Sequence, residues 1–266
     1  MASNLDQNVL GYELGEISAR GAVTVEIVTA GHGVPLQTFI DVQYQDSKVM
    51  DKRPGMYLKY LPYRYDEVTG KLLSGGSYLF DTWENAKDYV RWTNEDFKVG
   101  DPEVKFWDQP AFESHNGTFW RVIGAHNFVP IQQHAVGRLQ QWACEAIDVE
   151  TVLHDIYPSL RSAAEAHGAA SIWLLHNPEE KTVGIQLAFQ KLGGAGDHES
   201  ARQSLVAATK PLSLGQFLPE TFDLKPLFDR VSLFLTLWLP KSTAAGGAER
   251  TIPLYPMVPN ISCHDA

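Results

Sequence analysis

Apolar residues recur in two rhythms along this chain, and the rhythms alternate in a fixed order. Val23, Val25 and Ile27 repeat at period two, which predicts a strand over 22–28 that ends at Ala30-Gly31-His32-Gly33. From Pro35 onward Leu36, Phe39, Ile40 and Tyr44 keep to one side of a helix, which should stop before Pro54-Gly55. Two aromatic-rich runs, 56–61 and 77–80, flank a turn-rich stretch through Asp66 and Gly70 and read as a hairpin. Asp81 as cap and Glu84 three residues on predict a capping box, opening a helix whose apolar stripe is Trp83, Ala86, Val90 and Phe97. An irregular, proline-containing stretch follows, then a fourth strand over 119–128. The order is β-α-β-β-α-β, the split ferredoxin-like unit.

The same order then repeats. A strand is expected over 138–145, and Asp148 caps a helix carrying Val149, Val152, Ile156, Leu160 and Ala163 that ends near Gly168. Runs 171–176 and 183–189 form a hairpin about the turn Asn177-Pro178-Glu179-Glu180, a helix spans 197–209, and 231–239 closes the set. The hairpins open at about 57 and 171 and the last strands at 119 and 231, so two nearly equal offsets, about 114 and 112 residues, relate the pairs and mark a duplicated unit. A sheet with helices on one face leaves its other face bare, and two such sheets can cover each other. The expected fold is α+β: two tandem ferredoxin-like βαββαβ halves packed as a pseudo-dimeric α+β barrel. The expected organisation is a polar leader over 1–21, a first half over 22–130, a linker over 131–137, a second half over 138–240 and an extended arm over 241–266.

Composition narrows the class of function. A 266-residue chain with 44% hydrophobic and 20% charged residues builds a sizeable core. Its net charge of −10, with no basic run, argues against a nucleic-acid partner, because such affinity depends on clustered Lys and Arg. The first ten residues lack the features of a secretory signal, and the longest apolar run, 231–239, is too short to span a membrane. The expectation is a cytoplasmic protein without a membrane partner. Cys144 and Cys263 show no metal-ligand or redox spacing.

At Gly75-Gly76-Ser77-Tyr78-Leu79-Phe80, followed by a helix with Ala86 and Tyr89, the first half resembles the YdhR-like mono-oxygenases of the dimeric α+β barrel superfamily. The likeness extends more loosely over about 23–129, and the second half departs from it at Thr182-Val183-Gly184-Ile185, where one glycine stands for two. The resemblance implies a pocket between sheet and helices, or in the barrel mouth, for a flat or aromatic small molecule. The superfamily spans cofactor-free oxygenases, isomerases, cyclases and haem proteins, so fold alone does not select among them.

Strand alternation puts His126 on the face of Trp120, Val122, Gly124 and Phe128, where it would take a proton from a phenol or from carbon beside a carbonyl. The competing reading is a core histidine bonded to a backbone carbonyl. Tyr60 or Tyr57, on opposite faces of one strand, would hydrogen-bond a phenolate or enolate; either is also an ordinary core aromatic. His32 between Gly31 and Gly33 marks either a close approach to ligand or a solvated turn. Trp107, with His115 and Trp120, flanks a segment that acts as a lid or simply packs its own aromatics. His176 and Trp173 have no chemical counterparts in the first half, which places the active pocket in that first half.

No metal site is expected, since the nine histidines show no ligand spacing beyond the surface pair His154-Asp155. No cofactor is expected either; a haem would need an axial histidine, for which His126 or His134 would serve. Gly193-Gly194-Ala195-Gly196 reads as a loop ahead of a helix rather than a phosphate cradle. The leading expectation is a cofactor-independent enzyme, a mono-oxygenase, on an aromatic or polyketide-like small molecule, with Trp120, Phe128, His32 and Trp107 lining the substrate. A non-redox isomerase, cyclase or lyase using the same acid-base pair, and a haem- or ligand-binding protein without turnover, stand as alternatives. Assembly into a homodimer is left open.

Overall fold

The computed structural model describes residues 14–35, 49–50, 53–66, 68–129, 135–190, 198–219 and 221–238. Its elements run β1 (Gly15–Glu16), β2 (Gly21–Thr29), β3 (Met56–Tyr65), β4 (Leu72–Phe80), α1 (Trp83–Glu95), β5 (Lys98–Val99), β6 (Val104–Lys105) and β7 (Phe112–Asn127). They continue as β8 (Val136–Ala143), α2 (Val149–Ala166), β9 (Ala169–Asn177), β10 (Thr182–Phe189), α3 (His198–Thr209) and β11 (Lys225–Trp238). Of the helix expected from Pro35, Pro35 itself is described and is not helical, while Val49 and Met50 are described and helical. His134, Cys263, the glycine run 193–196 and the arm 241–266 lie outside the described residues.

The described residues form two compact units, one from Gly21–Phe119 with 235–238, the other from 14–20 with Trp120–Phe234. In the first the strand order is β7-β2-β4-β3-β11; in the second it is β1-β7-β9-β10-β8-β11. Strands β7 and β11 each contribute residues to both units. Every strand pairing whose register is described is antiparallel. The chain is α+β with two ferredoxin-like halves, as the periodicity predicts. Both shared strands are longer than the apolar pattern suggests, because Phe112–Thr118 and Lys225–Arg230 are polar or mixed yet still pair.

In the first unit Val23, Val25 and Ile27 of β2 and Tyr78 and Phe80 of β4 pack with Ala86 and Tyr89 of α1. The paired glycines of the motif have separate steric causes. A Cβ on Gly75 would lie 1.8 Å from the Val25 carbonyl oxygen, and one on Gly76 would lie 2.1 Å from the Tyr78 hydroxyl. Gly75 therefore lets β2 approach, and Gly76 makes room for the Tyr78 ring. Helix α1 is capped by Thr82 rather than Asp81: the Thr82 hydroxyl accepts from the Asn85 amide at 3.1 Å, while the Asp81 carboxylate accepts from the Asn85 side chain at 2.7 Å. Both residue types cap well, and the extended backbone at Thr82 decides between them.

The second unit packs α2 and α3 on one face of its sheet, with Val183, Ile185 and Leu187 of β10 at the centre. Its strand β8 begins two residues before the expected start, so residues 136 and 137 of the expected linker are sheet. The buried stripe of α2 is Val149, Leu153, Tyr157, Leu160 and Ala164. The expected stripe differs by a small rotation, since Val152, Ile156 and Ala163 fit the same 3.6-residue period and only partly bury. That rotation turns Tyr157 toward the sheet.

Candidate functional site

The richest cluster of acid-base groups in the second unit lies where α2 crosses β7. Strand β7 carries a register irregularity between Val122 and Gly124 in its pairing with β9. A bulge of this kind inserts a residue and reverses which face the following side chains occupy. Trp120 lies against Gly184, at 3.4 Å from where a Cβ would stand, on the face away from α2. Gly124, by contrast, faces α2, where a Cβ would lie 2.2 Å from the Tyr157 ring. The expectation that His126 and Trp120 share a face is therefore corrected: alternation holds only until the bulge interrupts it.

His126 sits beyond the bulge with Phe128, their ring centroids 4.7 Å apart. The register of β1 on β7 sets Glu16 opposite His126, and Nδ1 of the imidazole lies 3.4 Å from the Glu16 carboxylate. An ionised carboxylate only accepts hydrogen bonds, so Nδ1 is the donor in this contact. Arg161 of α2 donates to the same carboxylate at 3.4 Å. His126 is half-buried and bonded to a side chain rather than to the backbone carbonyl of the competing reading.

Tyr157 completes the cluster. Its side chain is buried, and its hydroxyl has no hydrogen-bond partner among the described residues. Burial, then the negative charge of Glu16, push its pKa up, while Arg161 works in the opposite sense. The phenol therefore stays protonated at neutral pH and remains a hydrogen-bond donor.

A second histidine-carboxylate pair stands at the other end of α2. Nδ1 of His176 lies 3.1 Å from Oε2 of Glu150, and Arg121, directly across from His176 in the β7–β9 register, donates to that oxygen at 3.1 Å. Burial holds the His176 pKa below its ordinary value, outweighing the opposing pull of Glu150. Glu150, Tyr157 and Arg161 fall seven and four residues apart, which puts them along one side of α2. Sequence reasoning missed Tyr157, Glu16, Glu150 and Arg121. The helical spacing on α2 is a legible signal for part of this set; the β1 register that brings in Glu16 is not.

The remaining expected residues belong to the first unit. Tyr60 is fully buried opposite Ser77, on the sheet face away from α1, where the ion pair Arg64–Glu26 (2.6 Å) also lies. Tyr57 is half-buried at the irregularity between Met56 and Leu58. His32 is exposed in a turn, its ring nitrogen 2.7 Å from the Thr69 carbonyl, and Gly31 and Gly33 have φ of 89° and 63° with open space beside them. That is the solvated-turn alternative. Trp107 stacks on His115 at 4.0 Å and touches Phe106 and Phe112, so the segment before β7 packs its own aromatics.

Among the described residues no three His, Cys, Asp or Glu side chains cluster closely enough to hold a metal ion. Among the described residues, His126 and His176 each have Nδ1 directed at a carboxylate. No helix among the described residues is long and apolar enough to cross a membrane.

No protein-family model and no curated protein matches the sequence. Similar solved structures include a provisionally named monooxygenase from Lactobacillus acidophilus, at 12% identity over 83% of this chain and 97% of that one, TM-score 0.48. An anthrone oxidase-like protein is similar at 11% identity over 85% and 95%, TM-score 0.46. A heme-binding protein from Thermus thermophilus is similar at 7% identity over 82% and 92%, TM-score 0.45.

Proposed function

We propose that this chain is a cofactor-independent mono-oxygenase for a small phenolic or polyketide-like molecule, with its acid-base centre at His126 and Tyr157. The observation that carries the reading is the buried Tyr157 hydroxyl, which has no partner among the described residues and whose ring lies against the strand that bears His126. A buried hydroxyl left unbonded costs roughly 1–3 kcal/mol, and an incoming oxyanion would recover that cost. Tyr60 and Tyr57 were the tyrosines expected in this role; Tyr157 takes it here, because it flanks the His126 cluster within one unit.

In the proposed reaction Nε2 of His126 takes the proton of the substrate hydroxyl, while Glu16, to which Arg161 donates, holds the ring through Nδ1. Tyr157 donates a hydrogen bond to the phenolate, and Phe128 supplies an aromatic wall beside the imidazole. The phenolate gives one electron to dioxygen, and the superoxide so formed joins the substrate radical at a ring carbon. The resulting hydroperoxide loses water as its O–O bond breaks, leaving a quinone. One phenol and one dioxygen thus give one quinone and one water, and the substrate supplies all four electrons.

Oxygen uptake by the purified full chain, with a panel of phenols and no added metal or reductant, tests this reading. One dioxygen consumed per quinone formed, lost in His126→Ala, is the expected result. Product formation without oxygen uptake would replace the redox step by proton transfer alone, and a Soret band in the purified protein would replace turnover by haem binding.

A further inference from the structure

Helix α2 meets the sheet at three points, and these follow one another in the same order along the helix and along β7. Glu150, in the first turn of α2, accepts hydrogen bonds from Arg121 of β7 and from Nδ1 of His176 on β9. Tyr157 lies against Gly124 in the middle. Arg161 donates to the Glu16 carboxylate, which also holds His126. The two polar contacts therefore bracket the tyrosine.

This bracketing matters because the Tyr157 hydroxyl has no hydrogen bond of its own among the described residues. Gly124 admits the ring, but the place of the ring along β7 is set by the helix that carries it. Shifting α2 by one residue is a rise of about 1.5 Å and a turn of about 100°, which takes Glu150 away from both of its donors. Those donors come from neighbouring strands and converge on one oxygen, Oε2, at 3.1 Å each. An exposed ion pair alone would fix little. Arg121 and Glu150 are partly exposed, whereas His176 is buried, so the imidazole is the anchored end of this clamp.

We propose that Glu150 is a positioning residue for the acid-base centre: held by His176 and Arg121, it sets the register of α2 on the sheet and with it the place of the Tyr157 hydroxyl. Glu150 acts through Tyr157 and not on the substrate. This role rests on the reading of Tyr157 as donor to a substrate phenolate.

The ionisation of bound 4-nitrophenol, followed by absorbance in the full chain, tests it. Wild-type protein should favour the bound phenolate about tenfold over free nitrophenol, and Glu150→Ala should lose at least about threefold of that preference. Charge alone predicts the opposite sign, since removing a carboxylate favours a nearby anion. Glu150→Gln, which keeps the length and an acceptor oxygen, should retain most of the preference. Glu150→Asp keeps the charge but falls one methylene short; it should lose the preference as alanine does, and it serves where the alanine variant does not fold. In a Tyr157→Phe background none of the three should have a further effect. An undiminished preference in Glu150→Ala or Glu150→Asp, its loss in Glu150→Gln, or an equal loss without the Tyr157 hydroxyl would overturn the role of Glu150 and leave that of Tyr157 standing. No preference in wild-type protein would overturn both.

Discussion

The ring of Tyr157 occupies the space that a side chain at position 124 would fill, with Cε1 2.2 Å and Cζ 2.3 Å from a Cβ built on Gly124. The glycine thus sets where the Tyr157 hydroxyl lies, and Gly124→Ala should displace the ring rather than merely crowd it. Overpacking of this kind costs about 1–3 kcal/mol. Denaturant unfolding should report that loss, and the loss should largely vanish when alanine is introduced in a Tyr157→Ala background. An equal cost in both backgrounds would show that the ring is not what position 124 accommodates.

Gly76 and Tyr78 stand in the same relation in the first unit. Gly76→Ala should destabilise by about 1–3 kcal/mol and recover in a Tyr78→Ala background. Gly75→Ala, whose Cβ would strike the Val25 backbone instead, should find no relief from Tyr78→Ala. The check is a pair of double-mutant cycles on unfolding free energy.

These glycines show what the sequence disclosed and what it withheld. The period-two run at Val23, Val25 and Ile27 points into the core of the first unit, because successive strand side chains alternate between the two faces of the sheet. The Gly75-Gly76-x-Tyr78 pattern announced a local packing event, and it is one. Strand β7 defeated the same logic: one extra residue between Val122 and Gly124 reverses the parity, and no residue type signals it. On α2, Val152, Ile156 and Ala163 matched the helical period as well as Leu153, Tyr157 and Ala164 do, and only tertiary packing chose between the stripes. Pairing of Glu16 with His126 spans 110 residues and follows from a register that local pattern cannot carry.

The buried His176 should make stability depend on pH in a defined direction. Its folded pKa is held below the ordinary 6.5, with burial the main cause. Between that lowered value and 6.5 the unfolded chain binds a proton that the folded chain does not, so stability rises with pH through this window and is lost as pH falls through it. His176→Gln should flatten this part of the curve of unfolding free energy against pH. A slope remains from His115, whose pKa is lowered by burial as well. An unchanged slope in the variant would mean that His176 does not titrate with unfolding.

Stabilisation of a substrate anion by the buried Tyr157 hydroxyl is read directly from the spectrum of a bound nitrophenol, since phenol and phenolate absorb at different wavelengths. Wild-type protein should lower the apparent pKa of the bound nitrophenol by about one unit, or ~1.4 kcal/mol. Tyr157→Phe, which keeps the ring against Gly124 and removes only the donor, should abolish most of that shift. Identical titration curves for the two proteins would contradict the account.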